Sequence, residues 1–431
     1  MRLFKILKAS LLLGCLSLIC APVEAQEGTM GEYLARAANC VACHSSPGGE
    51  AFAGGLKMAT PIGNIYATNI TPDTETGIGD YSLMDFDRAV RLGIAKDGHL
   101  LYPAMPYPSY AKLSSEDIAA LYDFFMKEVP PIRQADLESE IPFPLNMRWP
   151  LAIWNFFFFE DMPYETDQSQ SVLWNRGAYL VQGLGHCGAC HTPRGWAWNE
   201  EAYDESNEMF LSGALLDHWF ASNLSQDPNG GLGRWSNLEI VEYLRRGHNS
   251  ISSSFGTMDE VIASSTQYLT EDDLNSMAVY LKDLPLVHEK HAKVFAYEPL
   301  AQTQLRNRDY SKPGALVYAQ RCESCHVDSG MGYPPYIPPL AGNPVSVDSD
   351  PSSLINIVLN GSSRLLVNGL PDPYRMPGYR KLLTDDEIGN VVSFMRTSWG
   401  NKANPIAANE VAYLRELTSP VGDRIVILKM K

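Results

Sequence analysis

The 431-residue chain has no apolar run long enough to cross a bilayer. The longest, residues 11–19, falls well short of the roughly 20 residues that a spanning helix needs. The apolar, basic tail at 425–431 is shorter still. Basic charge is scarce too: 34 Lys and Arg stand against 50 Asp and Glu, a formal net charge of −16. Such a surface repels nucleic acid and anionic lipid, and it suits a basic partner or none in particular. A glycine-rich dinucleotide fingerprint is missing, no general base stands out, and little of the chain alternates as a strand does. Nothing in the composition points to a disordered or fibrous chain. Cysteine is the scarce residue that decides most, with eight in all.

At the N-terminus, Arg2, Lys5 and Lys8 precede the short apolar run, and Val23-Glu24-Ala25 offers a small-residue cleavage site before Gln26. This is the pattern of a cleaved secretory signal, so residues 1–25 are expected to be removed on export. Leu13-Gly14-Cys15 resembles a lipoprotein cleavage site only faintly, because little apolar core precedes it. Removal takes away Arg2, Lys5, Lys8 and Glu24, three positive charges and one negative, which moves the net charge from −16 to −18. Cys15 and Cys20 leave as well. The other six cysteines form three pairs, each with two residues between its members. In an exported chain such pairs would ordinarily suggest disulfides, but here a histidine follows every pair.

The three motifs are Cys40-Val41-Ala42-Cys43-His44, Cys187-Gly188-Ala189-Cys190-His191 and Cys322-Glu323-Ser324-Cys325-His326. C-x-x-C-H is the attachment site of a c-type haem. Its two thiols form thioethers to the porphyrin vinyl groups, and the adjacent imidazole then sits under the iron as an axial ligand. A zinc site would need four ligands from pairs close together, and these motifs lie more than a hundred residues apart. A thioredoxin-like pair would need a βαβ context that the sequence lacks. The reading is three covalent haem c groups, attached through Cys40, Cys43, Cys187, Cys190, Cys322 and Cys325, with His44, His191 and His326 on the iron.

Around each motif the same elements return in the same order. A helix runs in through Gly31-Glu32-Tyr33-Leu34, Gly177-Ala178-Tyr179-Leu180 and Gly314-Ala315-Leu316-Val317. A loop then centres on Asn69, Asn223 or Asn343, residues that either hydrogen-bond haem propionates or cap turns. An amphipathic helix follows and stops at Gly93, Gly247 or Gly361. The last helix opens on a capping pattern at Ser114/Asp117, Thr270/Asp273 and Thr384/Glu387, and an aromatic recurs within it at Phe124, Tyr280 and Phe394. Arg91 and Arg245 either face propionates or lie on solvated helix faces.

A thioether as the second axial ligand raises the iron's potential and suits a carrier. It should come late in each unit. Met105, Met258 and Met376 stand 9, 12 and 8 residues before their capping residues and 36, 35 and 33 residues after the loop asparagines. Met105 and Met376 sit in Met-Pro contexts. Met258 does not, and it has Met277 and His248 as rivals. His186 is expected at the surface and His99 in a loop.

With these motifs the chain resembles the tri-haem cytochrome c subunits of membrane-bound bacterial alcohol and sugar dehydrogenases, among them those of gluconate 2-dehydrogenase and quinoprotein alcohol dehydrogenase. The most specific stretches are residues 65–73 with Thr76-Gly77-Ile78-Gly79, residues 101–107 and residues 174–183. The resemblance implies a mainly α chain of three tandem class I cytochrome c-like domains. It supports Met105, Met258 and Met376 as distal ligands. The boundaries read as a signal at 1–25, domains at 26–130, 171–288 and 309–405, an aromatic-rich linker at 131–170, a second linker at 289–308 and a tail at 406–431.

Such a chain relays electrons from a separate FAD- or PQQ-dependent large subunit, with a small third subunit in some complexes, to ubiquinone. It has no catalytic residues of its own and is attached peripherally to the periplasmic face of the cytoplasmic membrane. A gluconate or other sugar dehydrogenase is the leading partner and a PQQ-dependent alcohol dehydrogenase the alternative. A free multihaem carrier and a peroxidase-like haem enzyme are the other readings. The linker run Phe156-Phe157-Phe158-Phe159 either packs between the first two domains or contacts the large subunit, membrane or quinone.

Overall fold

The computed structural model describes residues 28–286, 294–363 and 365–418. The expected export segment at 1–25 and the tail at 425–431 lie outside them.

In the first segment, the Thr29 hydroxyl accepts from Glu32 N and starts α1 (Met30–Ala37). The attachment turn α2 (Cys40–Cys43) follows, then an antiparallel hairpin of β1 (Lys57–Thr60) and β2 (Gly63–Tyr66). A Ser82–Asp85 capping box opens α3 (Leu83–Leu92), and Gly93 closes it at a φ of 64° that favours glycine. The buried turn α4 (Tyr107–Tyr110) and the Ser114-capped α5 (Ser115–Lys127) complete the segment. Next, α6 (Leu151–Phe158) lies in the aromatic linker.

The second segment repeats the order. It has α7 (Val172–Tyr179), the attachment turn α8 (Gly188–His191), a hairpin of β3 (Ala214–Leu216) and β4 (Trp219–Ala221), α9 (Asn237–Arg246) ending at Gly247, α10 (Thr257–Ser264), and α11 (Glu271–Asp283) capped by Thr270. One difference is covalent in origin. Cys187 stands eight residues after Tyr179, whereas Cys40 stands seven after Tyr33. The extra residue is absorbed as a π-helical turn at Leu180–Leu184, the usual fate of a single insertion in a helix near a site.

The third segment contains α12 (Leu300–Arg306), α13 (Ala315–Arg321), α14 (Glu323–His326), α15 (Pro344–Val347), α16 (Ser352–Asn360), a hairpin of β5 (Leu366–Val367) and β6 (Leu370–Pro371), α17 (Asp385–Arg396) and α18 (Ala408–Leu417). Its hairpin follows the amphipathic helix instead of preceding it. The described fold is therefore helix-rich with three small hairpins. Strands of two to four residues are too short to leave an alternation in the sequence.

In each segment the helix that enters the attachment motif (α1, α7, α13) meets the later helix capped by Ser114, Thr270 or Thr384 (α5, α11, α17) at a glycine. A Cβ on Gly31 would lie 2.2 Å from Ala120 O, one on Gly177 2.0 Å from Ser276 O, and one on Gly314 2.1 Å from Asn390 O. Phe124 and Tyr280 pack at this contact, and Phe394 lies 5.3 Å from the Tyr318 ring. Gly177→Ala is expected to force the helices apart and cost about 1–3 kcal/mol, the usual range for overpacking, measured by chemical denaturation. An unchanged midpoint would contradict this close crossing.

The buried core of the first two segments is one continuous cluster from Leu34 to Leu284. The third segment has its own cluster, around Tyr318, Phe394 and Trp399. Helix α6 lies outside both. Its inner edge packs: Trp154 and Phe159 meet Tyr107 edge-on, Phe158 meets Trp196, and the Trp154 indole donates to Ala197 O at 2.9 Å. Its outer edge does not, with Phe156 82% and Phe157 68% exposed. Packing between the first two segments thus accounts for only half of the linker's aromatics. No helix among the described residues is long and apolar enough to cross a membrane.

Candidate haem sites

Each attachment motif folds as one helical turn. The backbone N–H of His44, His191 and His326 donates to the carbonyl of Cys40, Cys187 and Cys322 respectively. That turn places the two thiols of a pair on one side with the imidazole beside them. All six cysteines are free. Burial pushes the Cys40, Cys187 and Cys322 thiols up to about 12 and Cys190 up to about 11. No group of three or more His, Cys, Asp and Glu that could hold a metal ion occurs among the described residues.

The three imidazoles share one arrangement. Nδ1 of His44 lies 2.8 Å from Thr68 O, that of His191 2.7 Å from Ser222 O, and that of His326 3.1 Å from Pro338 O. A carbonyl can only accept, so Nδ1 carries the proton and Nε2 keeps its lone pair. Burial lowers all three imidazoles, His326 to about 4. They are therefore neutral, with a fixed tautomer and a ring orientation set by the backbone, as an iron ligand requires. In the first two segments the acceptor immediately precedes the loop asparagine. The third uses Pro338 instead, in a differently built loop.

The second segment holds a cavity of about 220 Å³ whose walls include Cys187, Cys190, His191 and Met258. The residues suit a large, flat, mostly apolar group with a metal at its centre. Trp235 also lines the cavity, and its buried indole N–H has no partner in the protein. Met277, the rival to Met258, is buried in α11 and lines the same cavity. The other rival, His248, is not among the lining residues. It stands 3.9 Å from Asp372 and stacks on Tyr336. Met105 and Met376 are part-buried against the cores of their own segments. Met376 N donates to Ser362 Oγ at 3.0 Å.

The loop asparagines cap turns. Oδ1 of Asn69, Asn223 and Asn343 accepts from the backbone N–H two residues on, in Thr71, Ser225 and Val345. Arg91 pairs with Asp87 one turn earlier, and Arg245 with Glu271. His99 is exposed and bonded to Asp97. His186, expected at the surface, instead lines the second-segment cavity, with Nδ1 2.9 Å from Leu184 O. Asn39, which holds the same place before Cys40, lines that cavity too, and both residues have positive φ, 52° for Asn39 and 36° for His186.

Sequence reasoning missed one supporting residue. Asp348, just before α16, accepts from Ser222 Oγ at 2.7 Å, and the Ser222 carbonyl is the partner of His191. Burial pushes the Asp348 carboxyl up to about 8, far above the roughly 3.9 of an unfolded chain. A raised folded value means that the native state holds the proton more tightly. The stability from this group is complete below about pH 4 and is lost as pH rises through 8. Asp348→Asn, which keeps an acceptor for Ser222, is expected to flatten the fall in thermal midpoint between pH 4 and 8. A fall as steep as in the unchanged protein would contradict this assignment.

The family pattern described as cytochrome c matches residues 311–399, in the third segment. Across almost the whole chain, the gluconate 2-dehydrogenase cytochrome c subunit of Pantoea cypripedii is 48% identical over 392 residues, 90% of this chain and 89% of that one. The alcohol dehydrogenase (quinone) cytochrome c subunit of Gluconacetobacter polyoxogenes is 46% identical over 399 residues, 91% of this chain and 85% of that one. The fructose dehydrogenase cytochrome subunit of Gluconobacter japonicus is 36% identical over 404 residues, 89% and 82% of the two chains.

Proposed function

The chain belongs to the cytochrome c subunits of alcohol and gluconate dehydrogenases, and from that membership we propose that it is a three-haem relay between a catalytic dehydrogenase subunit and ubiquinone. Electron transfer within a dehydrogenase complex is its function. The observation that carries the three-haem reading is the set of three imidazoles, each directly after a Cys pair and each with Nδ1 committed to a backbone carbonyl.

When bound, haem iron takes up and returns one electron at a time. The residues of this chain do the rest. Cys40, Cys43, Cys187, Cys190, Cys322 and Cys325 hold the groups covalently. His44, His191 and His326 would bind the iron through Nε2, and Met105, Met258 and Met376 would supply its second protein ligand. The Trp235 N–H, buried beside the cavity, is placed to donate to a haem carboxylate. Each segment is then one cytochrome c-like domain, the third extended beyond 309–405 by α12 and α18, whose Ala301, Leu305, Val411 and Leu414 are buried in its core.

Substrate oxidation takes place on the partner, whose cofactor is FAD or PQQ. Gluconate or another sugar is the favoured substrate, and the 46% identity to an alcohol dehydrogenase subunit supports an alcohol as the second reading. The test is to add gluconate or ethanol to membranes and follow haem reduction, with a strain lacking this chain as control. Reduction by gluconate alone supports the first reading, by ethanol alone the second, and reduction by neither removes both.

The chain is exported and sits peripherally on the periplasmic face of the membrane. The outer edge of α6 fits a contact with the complex or the membrane. Phe157→Ser, at a side chain 68% exposed, is expected to leave stability within about 0.5 kcal/mol yet to weaken assembly or quinone reduction. Unchanged assembly and quinone reduction would sink that contact.

A further inference from the structure

Two contacts far apart in the sequence are copies of one another. Tyr33 of α1 donates to Asp273 at 2.6 Å, and its oxygen accepts from Thr270 N at 3.2 Å. Tyr179 of α7 donates to Asp117 at 2.5 Å, and its oxygen accepts from Ser114 N at 3.2 Å. The tyrosines occupy the same position in the helix that enters an attachment motif. The aspartates each stand three residues after the cap of a last helix. Each segment therefore gives a tyrosine to the other and receives one from it.

The next ring of contacts obeys the same exchange. Arg36 and Gln182 each stand three residues after their tyrosine, and Tyr268 and Lys112 each stand two residues before their cap. Arg36 lies over the Tyr268 ring at 4.1 Å, and Lys112 donates to Gln182 at 2.9 Å. Closer in, Ser265 Oγ donates to Ala37 O at 3.3 Å, while a Cβ on Gly183 would rest 3.8 Å from Ser109 O. Residue i meets j, and the counterpart of j meets the counterpart of i. This is the signature of an isologous, two-fold interface.

The third segment does not take part. Leu316 stands where Tyr33 and Tyr179 do, and Glu387 completes its own capping box by accepting from Thr384 N at 2.9 Å. In α5 and α11 the corresponding carboxylates turn to the other segment instead. The third segment docks elsewhere, on the β3–β4 side of the second: Phe220 N donates to Ser353 Oγ at 2.8 Å, and Asn356 donates to His218 O at 3.2 Å.

We propose that the first and second segments form an internal pseudo-two-fold pair, closed by the reciprocal Tyr33–Asp273 and Tyr179–Asp117 clamps, that holds their two attachment motifs against each other as one rigid electron-transfer core. The electron-transfer part rests on the three-haem reading. The shared hydrophobic core supports the pair. So does the second-segment cavity, whose wall includes Ala37 and Asn39 from the first segment, just before Cys40. Ser264 of α10 also donates to Asn39 at 2.7 Å. Arg176 backs one clamp with two 2.7 Å bonds to Asp273, and such charge-assisted contacts are the strong ones. Tyr33 and Tyr179 are thus positioning residues.

The test uses the full holoprotein with Tyr33→Phe, Tyr179→Phe and both together. Amide exchange at Thr270 is expected to speed up roughly ten- to a hundredfold in the first variant, and exchange at Ser114 likewise in the second, the loss expected for a hydrogen bond to a charged group. Exchange at Thr384 in the third segment should not change. In the double variant the magnetic interaction between the two ferric centres should weaken while their axial ligation persists. Unchanged exchange at Ser114 and Thr270, or an undiminished magnetic interaction, overturns the proposal. If the double variant does not fold, Asp117→Asn and Asp273→Asn carry the same readouts singly. A haem count by mass stands apart from these: fewer than three haems with both clamps intact would sink the cofactor reading and leave the pair standing.

Discussion

Replacing Cys187 and Cys190 with alanine is expected to give a chain with two covalent haems in place of three, and to destabilise the first segment together with the second. The chemistry is local: without thiols no thioether forms. The stability effect is wider. The second-segment cavity of about 220 Å³ would lose its tethered filling. Apolar walls left without their packing partner cost stability that grows with the volume emptied. Because one buried cluster runs from Leu34 to Leu284, both segments should unfold earlier and together. The matching change at Cys322 and Cys325 should leave the first two segments as stable as before, since the third has its own cluster. Intact mass and thermal unfolding read both effects. Three haems on the Cys187/Cys190 variant, or a first segment that melts as usual, would contradict this account.

Met258→Leu is expected to lower the potential of one haem on the order of 0.2 V, within the roughly 0.8 V range that axial ligation spans. It should also remove the spectral signature of methionine ligation from that haem. Met277→Leu is the control. Both methionines line the cavity that contains His191, but Met277 is buried in α11 among core residues. Its volume-conserving change should cost under about 1.5 kcal/mol and leave the potential alone. A redox titration that moved with Met277 and not with Met258 would reassign the ligand.

Much of the local structure was legible in the chain because its signals are local. Ser114, Thr270 and Thr384 cap the helices they were read to start, though only Thr384/Glu387 completes a box, and Gly93 and Gly247 close helices with left-handed φ. The attachment motifs were legible because covalent chemistry dictates their spacing. What escaped depends on partners distant in sequence or on a change of a single residue. The one-residue insertion before Cys187 is taken up as a π-helical turn at Leu180–Leu184. Asp348 reaches the second site from 126 residues away, and Tyr33 meets its aspartate from 240 residues away. In Asn69, Asn223 and Asn343 the sequence allowed two roles, and the backbone geometry shows each capping a turn through Oδ1.

The most direct test of the central claim is the intact mass of the purified holoprotein after denaturation and thiol alkylation. The account predicts the mature polypeptide plus three haems, with no alkylated cysteine. A mass with one or two haems and a pair of alkylated or disulfide-linked cysteines would contradict it, and the affected pair would identify the segment that carries no haem.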